Sequence, residues 1–251
     1  LIITRLNIQQ RIMSSTSPQT NDGSTVNHHN GPSVLVIGST GGMGTEIIRH
    51  LAASKKENPS SSLKIHAFCR TPSKLEDASS VKSLCDSVIQ GNARNSTDIE
   101  KALSVSNANF IIVSVGNGED VKKNNIREES AKALVQVLPK YPRVRGVIVI
   151  SSTGAGSSKI VVGMGIGKLI SHHLRHILHD HSQQESTILS LEEWKDRVVV
   201  VRATALTDGH PTGTLMEFGD TVKSPTIKTD RADLATWVVN EVVNDLPHAG
   251  K

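Results

Sequence analysis

The chain has 251 residues, of which 37% are hydrophobic and 21% charged, which suits one ordinary α/β domain. No apolar run reaches about 18 residues, so a membrane-spanning helix is excluded, and two cysteines without a CxxC pair indicate neither a disulfide framework nor a metal site. A net charge of +4 with only 2% aromatic residues disfavours nucleic-acid binding and favours a small anionic ligand.

We expect the first 32 residues to form a disordered tail. The segment from Leu1 to Pro32 is rich in Ser, Thr, Asn and Gln and shows no apolar periodicity that could build a core. Its first part, LIITRLNIQQRIM, is mildly amphipathic and free of acids, as mitochondrial transit peptides are. The alternative is that Met13 is the true start. We predict a cytoplasmic protein, with a mitochondrial location as the alternative.

From Ser33 onward, short runs rich in Val and Ile alternate with helical patterns, which is typical of βα units in a parallel sheet. The apolar runs predict strands at Ser33–Ile37, Lys64–Cys69, Ser87–Gln90, Asn109–Val115, Arg145–Ser151 and Arg197–Arg202. The intervening patterns predict helices at Gly42–Ala53, Pro72–Leu84, Ser96–Ser104, Val121–Leu138, Lys168–Leu191 and Arg231–Asn244, the last of them capped by Asp230. We therefore predict that 33–251 form one doubly wound, mostly parallel α/β sheet with helices on both faces, a Rossmann domain.

A glycine-rich turn directly follows the first strand of this domain. The segment GSTGGMG places Gly38, Gly41 and Gly44 between that strand and the first helix. A pyrophosphate must approach the backbone closely at the positive end of the helix, so glycine is needed where a Cβ would block the turn. We predict a dinucleotide site here, in which the other residues of the turn can also donate hydrogen bonds, namely Ser39, Thr40, Gly42 and Met43. The alternative is a glycine turn that only permits a tight bend.

The end of the second strand selects the cofactor in folds of this kind. An acid there binds the ribose 2′-hydroxyl, whereas a base accommodates a 2′-phosphate. Arg70 directly follows this strand and Lys74 comes one turn later, with no carboxylate competing for the place. We predict NADP(H), with a solvated surface arginine as the alternative interpretation of Arg70.

The turn GSTGGMG and the following FCRTPSKL resemble the atypical short-chain dehydrogenases/reductases, in particular the NmrA-like and biliverdin-IXβ or flavin reductase-like group. The resemblance continues through VIVISSTGAG, DHSQQE, VVVVRATALTDG and TIKTDRADLATWV, so it covers nearly everything after residue 33. Together with the strand-end rule, it implies that the residues after the fourth and sixth strands line the nicotinamide end of the cofactor, these being Gly116, Asn117, Ala205 and Leu206. It places Asn92 near the adenine, although relatives usually have an acid at that position. The sixth strand also departs from the family, with Ala203 after Arg202 where relatives often have proline.

Tyrosine-dependent reductases of this fold need a Tyr-x-x-x-Lys pair after the fifth strand. The chain has one tyrosine, Tyr141, which precedes the fifth strand and is followed four residues later by Arg145, so that mechanism is excluded. Hydride transfer remains possible, because the nicotinamide carries the chemistry and the protein mainly positions it. At the end of the fifth strand, Ser152 can hydrogen-bond a carbonyl or the carboxamide, with Ser151 beside it. A strand-end hydroxyl satisfied by its own loop is the alternative.

The family resemblance implies that His181 borders the substrate pocket, where a proton donor is chemically reasonable. It lies among several other histidines and could equally be helix surface. Three of these, His172, His176 and His179, fall on one face of the predicted helix and raise a zinc alternative, which matches no HExxH pattern. The glycine-rich loop Gly154–Ile170 is predicted to be a mobile lid.

Two functions are consistent with these residues. The first is an NADPH-dependent reductase that acts on an easily reduced small molecule such as a flavin, quinone or tetrapyrrole. The second is a non-catalytic NmrA-like sensor or scaffold that binds NADP(H), because the glycine turn and Arg70 serve both functions. We predict a monomer or weak homo-oligomer with no membrane or nucleic-acid partner and no metal.

Overall fold

The protein is described here from a computed structural model, which covers residues 2–3, 31–77, 81–118, 122–161, 165–209, 211–213, 215 and 228–249. The strands are β1 (Ile2–Ile3), β2 (Ser33–Ile37), β3 (Lys64–Cys69), β4 (Ser87–Gln90), β5 (Phe110–Val113), β6 (Gly146–Ser152), β7 (Val198–Ala203), β8 (Ala205–Thr207) and β9 (Lys228–Asp230). The helices are α1 (Gly42–Glu57), α2 (Lys74–Asp77), α3 (Ser96–Ser106), α4 (Ile126–Val137), α5 (Ile166–His173), α6 (Arg175–Leu189) and α7 (Arg231–Val243). Short 3₁₀ turns lie at Pro59–Ser61, Val81–Leu84, Leu138–Lys140 and Glu192–Arg197.

The main sheet has the strand order β1-β7-β6-β5-β2-β3-β4. The six strands from β2 to β7 run parallel to their neighbours, and β1 pairs antiparallel with β7 at one edge. The chain passes from β2 outward to β4, then returns to β5 on the other side of β2 and continues to β7. The predicted doubly wound, mostly parallel Rossmann architecture is therefore confirmed, with all six predicted strands in place.

Both faces of the sheet are buried, which explains why its strands are nearly continuous apolar runs. Side chains alternate across a strand, so Val34 and Val36 of β2 enter one core while Leu35 and Ile37 enter the other. The first core contains residues of α1 and α7, and the second contains residues of α3, α4 and α6. The helices on the two faces hold the strand ends at fixed positions, and these ends form the site.

Three predicted helices differ from the structure. The second is reduced to α2 and a separate 3₁₀ turn. The fourth begins at Ile126, because the carboxylate of Asp180 accepts hydrogen bonds from the first-turn N–H groups of Arg127 at 3.1 Å and Glu128 at 3.0 Å. The fifth is interrupted at Leu174, whose φ of −89° and ψ of 7° turn the chain out of the helical path. The predicted cap of the last helix is confirmed, since Asp230 accepts from the N–H of Ala232 at 2.9 Å.

The ends of the domain contain two features that the pattern does not predict. β8 and β9 form a small parallel pair beyond the main sheet, and each has only three residues, too few for a periodic signal. Of the predicted tail, the backbone of Ile2–Ile3 pairs with Val201 and Arg202, and 4–30 lie outside the described residues. In the described part of the chain, no helix has the length and apolar character needed to cross a membrane.

Candidate functional site

A cleft of about 820 Å³ lies along the carboxyl ends of the parallel strands. It spans the point between β2 and β5 at which the strand order reverses, where ligands bind in open α/β sheets. The cleft brings together all but two of the residues predicted for the site, namely Gly38, Thr40, Gly41, Gly42, Met43, Arg70, Asn92, Gly116, Asn117, Ser151, Ser152, His181, Ala205 and Leu206.

The two exceptions, Ser39 and Gly44, support the turn from behind. Ser39 is fully buried, and its hydroxyl donates to the carbonyl of Phe68 at 3.2 Å, so it ties the turn to β3. Gly44 packs against the backbone of Gly38, with which any Cβ at position 44 would collide. We therefore assign both residues to shaping the turn, and not to ligand contact.

The turn fits a dinucleotide phosphate. Gly38 has φ of +88°, which favours glycine, and a Cβ there would also collide with the carbonyl of Ser114. Among the described residues, a Cβ at Gly41 would meet only the carbonyl oxygen of Gly38, at 3.5 Å, so these residues leave the space in front of α1 open. The first turn of α1 holds no acid, and its N-cap residue supplies no side-chain hydrogen bond. The positive end of α1 is thus available to an anion.

The far end of the cleft, beyond β3 and β4, carries positive charge. Arg70, Lys74 and Arg94 all line it. Asn92 lines it as well, but its Oδ1 accepts from the backbone N–H of Arg94 at 3.1 Å, and its own N–H donates to Asp98 at 2.8 Å. The amide oxygen of Asn92 therefore shapes the loop. Arg70 and Lys74 give this end its charge, whereas Arg94 is paired with Glu129 at 3.1 Å.

The two serines at the end of β6 have different partners. The Ser151 hydroxyl donates to the carboxylate of Glu185, so this proton is not directed at a ligand. The Ser152 hydroxyl donates to the carbonyl of Thr153 at 3.2 Å, a local bond that a ligand can replace. Of the two, Ser152 is half-buried and the better placed to bind a ligand.

His181 of α6 borders the same part of the cleft and is buried, with 8% of its surface exposed. Burial, together with the nearby charge of Arg127, lowers the pKa of His181 well below its usual value. Among the described residues its Nδ1 has no hydrogen-bond partner. The ring is neutral at pH 7, so it can offer an N–H to a ligand but does not act as a charged acid.

Arg127 is a cleft residue that sequence reasoning missed. Its guanidinium donates to the Oδ1 of Asn117 at 3.0 Å and forms an ion pair with Asp180 at 3.2 Å, both inside the protein. A Cβ at Gly116 would lie 3.2 Å from its Nη2. The predicted pair Gly116–Asn117 is therefore held in position by Arg127. No sequence signal identifies Arg127, because a charged residue at a helix start usually faces solvent.

A second buried ion pair supports the strand ends from below. Arg202 of β7 and Glu185 of α6 are 4% and 3% exposed, and Nη2 of Arg202 lies 2.6 Å from Oε2 of Glu185. Nε of Arg202 also donates to both oxygens of Glu185, at 3.1 Å and 3.2 Å. Since Ser151 pairs with Arg202 in the sheet and donates to Glu185, one network links β6, β7 and α6 beneath the cleft.

Three other groups of reactive side chains lie away from the cleft or are inert. The hydroxyl of Tyr141 lies 2.7 Å from that of Ser104 and donates to the carbonyl of Glu100 at 3.1 Å, so it is bound to α3 and does not line the cleft. The zinc alternative needs one continuous helix, and the interruption at Leu174 separates His172 from His176 and His179. Cys69 lines the cleft as a free thiol whose pKa is raised by burial, so it is not a ready nucleophile.

The predicted lid, Gly154–Ile170, falls partly outside the described residues, at 162–164. Its last part begins α5, which buries only Gly167 and exposes 70% of Leu169. Whether the loop covers the cleft therefore stays a prediction.

Comparison with known families identifies the domain. The profile of the NAD(P)H-binding family matches residues 38–245, which is most of the chain. This protein belongs to the NAD(P)H-binding family. The predicted relation to atypical short-chain dehydrogenases/reductases is confirmed at that level.

Solved structures show the same fold at low sequence identity. A wide-type short-chain dehydrogenase/reductase from Veillonella parvula DSM 2008 in complex with NADP is 14% identical, with 84% of this chain and 87% of that chain covered and a TM-score of 0.61. A Rossmann-fold NAD(P)-binding family protein from Shigella flexneri is 16% identical, with 87% and 90% covered and a TM-score of 0.59. A protein assigned as an NADH-flavin reductase from Streptococcus pneumoniae TIGR4 is 17% identical, with 88% and 97% covered and a TM-score of 0.56. Among curated protein sequences none matches this chain.

Proposed function

We propose that this protein is an NADPH-dependent oxidoreductase of the atypical short-chain type, which reduces a small, easily reduced acceptor such as a flavin, quinone or tetrapyrrole without a catalytic tyrosine. The observation that carries the proposal is the continuity of the cleft, which joins the phosphate turn and Arg70 to Ser152 and His181. When bound, NADPH supplies the hydride. The resemblance to the flavin reductase-like group supports the acceptor class.

In this proposal the protein positions the reactants and polarises the acceptor. Ala205 and Leu206 line the cleft next to the ends of β6 and β7, where the resemblance places the nicotinamide. Ser152 exchanges its bond to Thr153 for one to the acceptor or the carboxamide. His181 adds a neutral N–H, and because the ring is neutral, the proton that follows the hydride comes from solvent.

Turnover is the first test of this function. We expect the purified protein to oxidise NADPH in the presence of a flavin, quinone or biliverdin, but not an aldehyde. Reduction of an aldehyde forms an alkoxide that needs a proton donor beside it, and the described residues of the cleft provide no ionised acid at the ends of β6 and β7. Replacing Ser152 by Ala, or His181 by Ala, should lower kcat/KM about tenfold or more, the value of one hydrogen bond to the reacting group. Loss of reduced-nicotinamide absorbance measures the rate.

His179→Ala is the matched control, since this exposed histidine lies on the same helix outside the cleft. Its rate should equal that of the wild type. Saturable NADPH binding with no turnover on any acceptor would instead support the NmrA-like sensor. One feature favours the non-catalytic sensor. The Ser151 hydroxyl is hydrogen-bonded to Glu185 and His181 is neutral, so neither provides an ionised acid or base at the strand ends.

Cofactor preference is tested by Arg70→Gln. We expect this change to raise the Kd of NADPH about 10- to 100-fold and to leave that of NADH within about twofold, because only NADPH carries the 2′-phosphate that a guanidinium binds bidentately. Fluorescence titration of the reduced nicotinamide gives both constants. Lys101→Gln removes one charge from an exposed position of α3 and should change neither. Equal loss for both cofactors would contradict the assignment of Arg70 to the 2′-phosphate.

A further inference from the structure

Arg231 lies against the phosphate turn although it is far from it in sequence. It is the first residue of α7 and directly follows the N-cap Asp230. A methyl group at Gly42 would lie 3.2 Å from its Nε and 3.6 Å from its Cζ, and Arg231 lines the cleft. Its guanidinium is therefore next to the first residue of α1, where the positive end of that helix opens into the cleft.

This placement is electrostatically unfavourable without an anion. The N-terminus of a helix carries partial positive charge and repels a cation beside it. The first turn of α1 contains no acid, and Gly41 contributes no side-chain cap, so the helix itself does not compensate this charge. Two positive groups thus face the same space, which is open in front of Gly41.

The partner that Arg231 has in this structure is suited to being exchanged. Nη1 of Arg231 lies 2.7 Å from Oδ1 of Asp208, and the side chains are 25% and 83% exposed, respectively. Asp208 is almost entirely in water, so it can leave the pair and remain solvated. An ion pair of this kind contributes little, and a ligand with a higher negative charge competes well against it.

We propose that Arg231 binds the pyrophosphate of the nicotinamide cofactor, opposite the N-terminus of α1, and that Asp208 is the carboxylate it releases. A guanidinium forms paired hydrogen bonds with phosphate oxygens, and an anion at this point neutralises both Arg231 and the helix end. The inference rests on cofactor binding in the cleft, which is part of the proposed function, but does not depend on the acceptor or on turnover.

The test compares cofactor affinities by isothermal titration calorimetry on the full chain. Arg231→Gln should raise the Kd of NADPH and that of NADH by the same factor, about tenfold or more, because both contain the pyrophosphate. Arg231→Lys should recover part of the affinity, since it keeps the charge without the fork. Asp208→Asn should bind both cofactors as tightly as the wild type or several-fold more tightly, because the competing carboxylate is gone.

Two probes separate this role from a structural one. Adenosine 2′-monophosphate lacks the pyrophosphate, so its affinity should not change in Arg231→Gln, whereas Arg70→Gln should weaken it together with NADPH. Unchanged NADPH affinity in Arg231→Gln, or weaker binding in Asp208→Asn, would overturn the proposal. If the wild type binds NADPH but reduces nothing, the reductase fails and the role of Arg231 stands, because all of these readouts are binding constants.

Discussion

Replacing Glu185 by Ala is expected to lower the free energy of unfolding by about 3–5 kcal/mol, the cost of leaving a buried charge without its partner. Arg202 is only 4% exposed and makes its short contacts with Glu185, so the variant strands a guanidinium inside the protein. The Ser151 hydroxyl loses its acceptor at the same time. Urea denaturation at neutral pH measures the effect, with the midpoint and the slope reported together.

The double variant Glu185→Leu with Arg202→Met shows whether Glu185→Ala loses stability through the unpaired charge of Arg202 or through the cavity left by the smaller side chain. It removes both charges and restores apolar bulk, so it should be clearly more stable than Glu185→Ala, because replacing both partners of a buried ion pair costs little. A loss below about 1 kcal/mol for the single variant would show that the network contributes little to stability. A larger residue at Gly156 could not fill the space left by Glu185→Ala without strain, since φ of Gly156 is +55° and a Cβ there would collide with Arg202.

This network also shows what sequence patterns leave undetermined. The segment DHSQQE predicts a role for His181 but none for Glu185. The residues of α6 that turn inward include Asp180, His181, Gln184 and Glu185, which are all polar and all buried. Polar residues at helical spacing, on a helix that lies between buried strands, can indicate a buried polar network. They are easily missed, because the polar face of an amphipathic helix is ordinarily expected to face solvent.

The parts that could be predicted are those that depend on neighbours in sequence. β2 and β7 are apolar because both faces of the sheet are covered, so their apolar runs predict buried strands. The glycine turn joins β2 to the next helix, so the spacing of its glycines predicts its position in the fold. Arg127 and Arg231 could not be found in this way. Each reaches the cleft from the start of a helix that is distant in sequence from the phosphate turn, so packing sets its position. α4 lies against α6, which carries Asp180, the partner of Arg127, and α7 lies against α1.

Alanine substitutions in the phosphate turn are expected to give the other large effect. At Gly44 the substitution should lower stability and NADPH binding together, whereas at Gly41 it should lower NADPH binding alone. Alanine at position 44 would collide with the carbonyl of Gly38 and lie 2.9 Å from Cα of Ser39. Both are backbone atoms, so α1 must move away from β2. We expect a loss of about 1–3 kcal/mol in unfolding free energy, typical of overpacking, together with loss of NADPH binding.

Gly41→Ala is its counterpart in the same turn. Gly41 has φ of −79° and ψ of 157°, which alanine adopts freely, and of the residues that the structure describes a methyl group there contacts only the carbonyl oxygen of Gly38, at 3.5 Å. Stability should therefore be unchanged or raised by about 0.4–1 kcal/mol, because alanine restricts the unfolded chain. The same methyl group occupies space in the cleft where the pyrophosphate must approach α1, so the Kd of NADPH should rise about tenfold or more.

Thermal or urea unfolding together with NADPH titration of both variants separates the two roles. A stable Gly41→Ala protein that still binds NADPH as the wild type does would mean that the cofactor passes the turn at a distance, and the assignment of Gly41 to ligand contact would fail. A destabilised Gly41→Ala protein would mean that the turn is packed against protein and not open to a ligand. A Gly41→Ala protein that is fully stable but binds NADPH weakly is the expected result. It would mean that the absence of a Cβ at Gly41 leaves space for the pyrophosphate, whereas the absence of a Cβ at Gly44 allows α1 to pack against the turn.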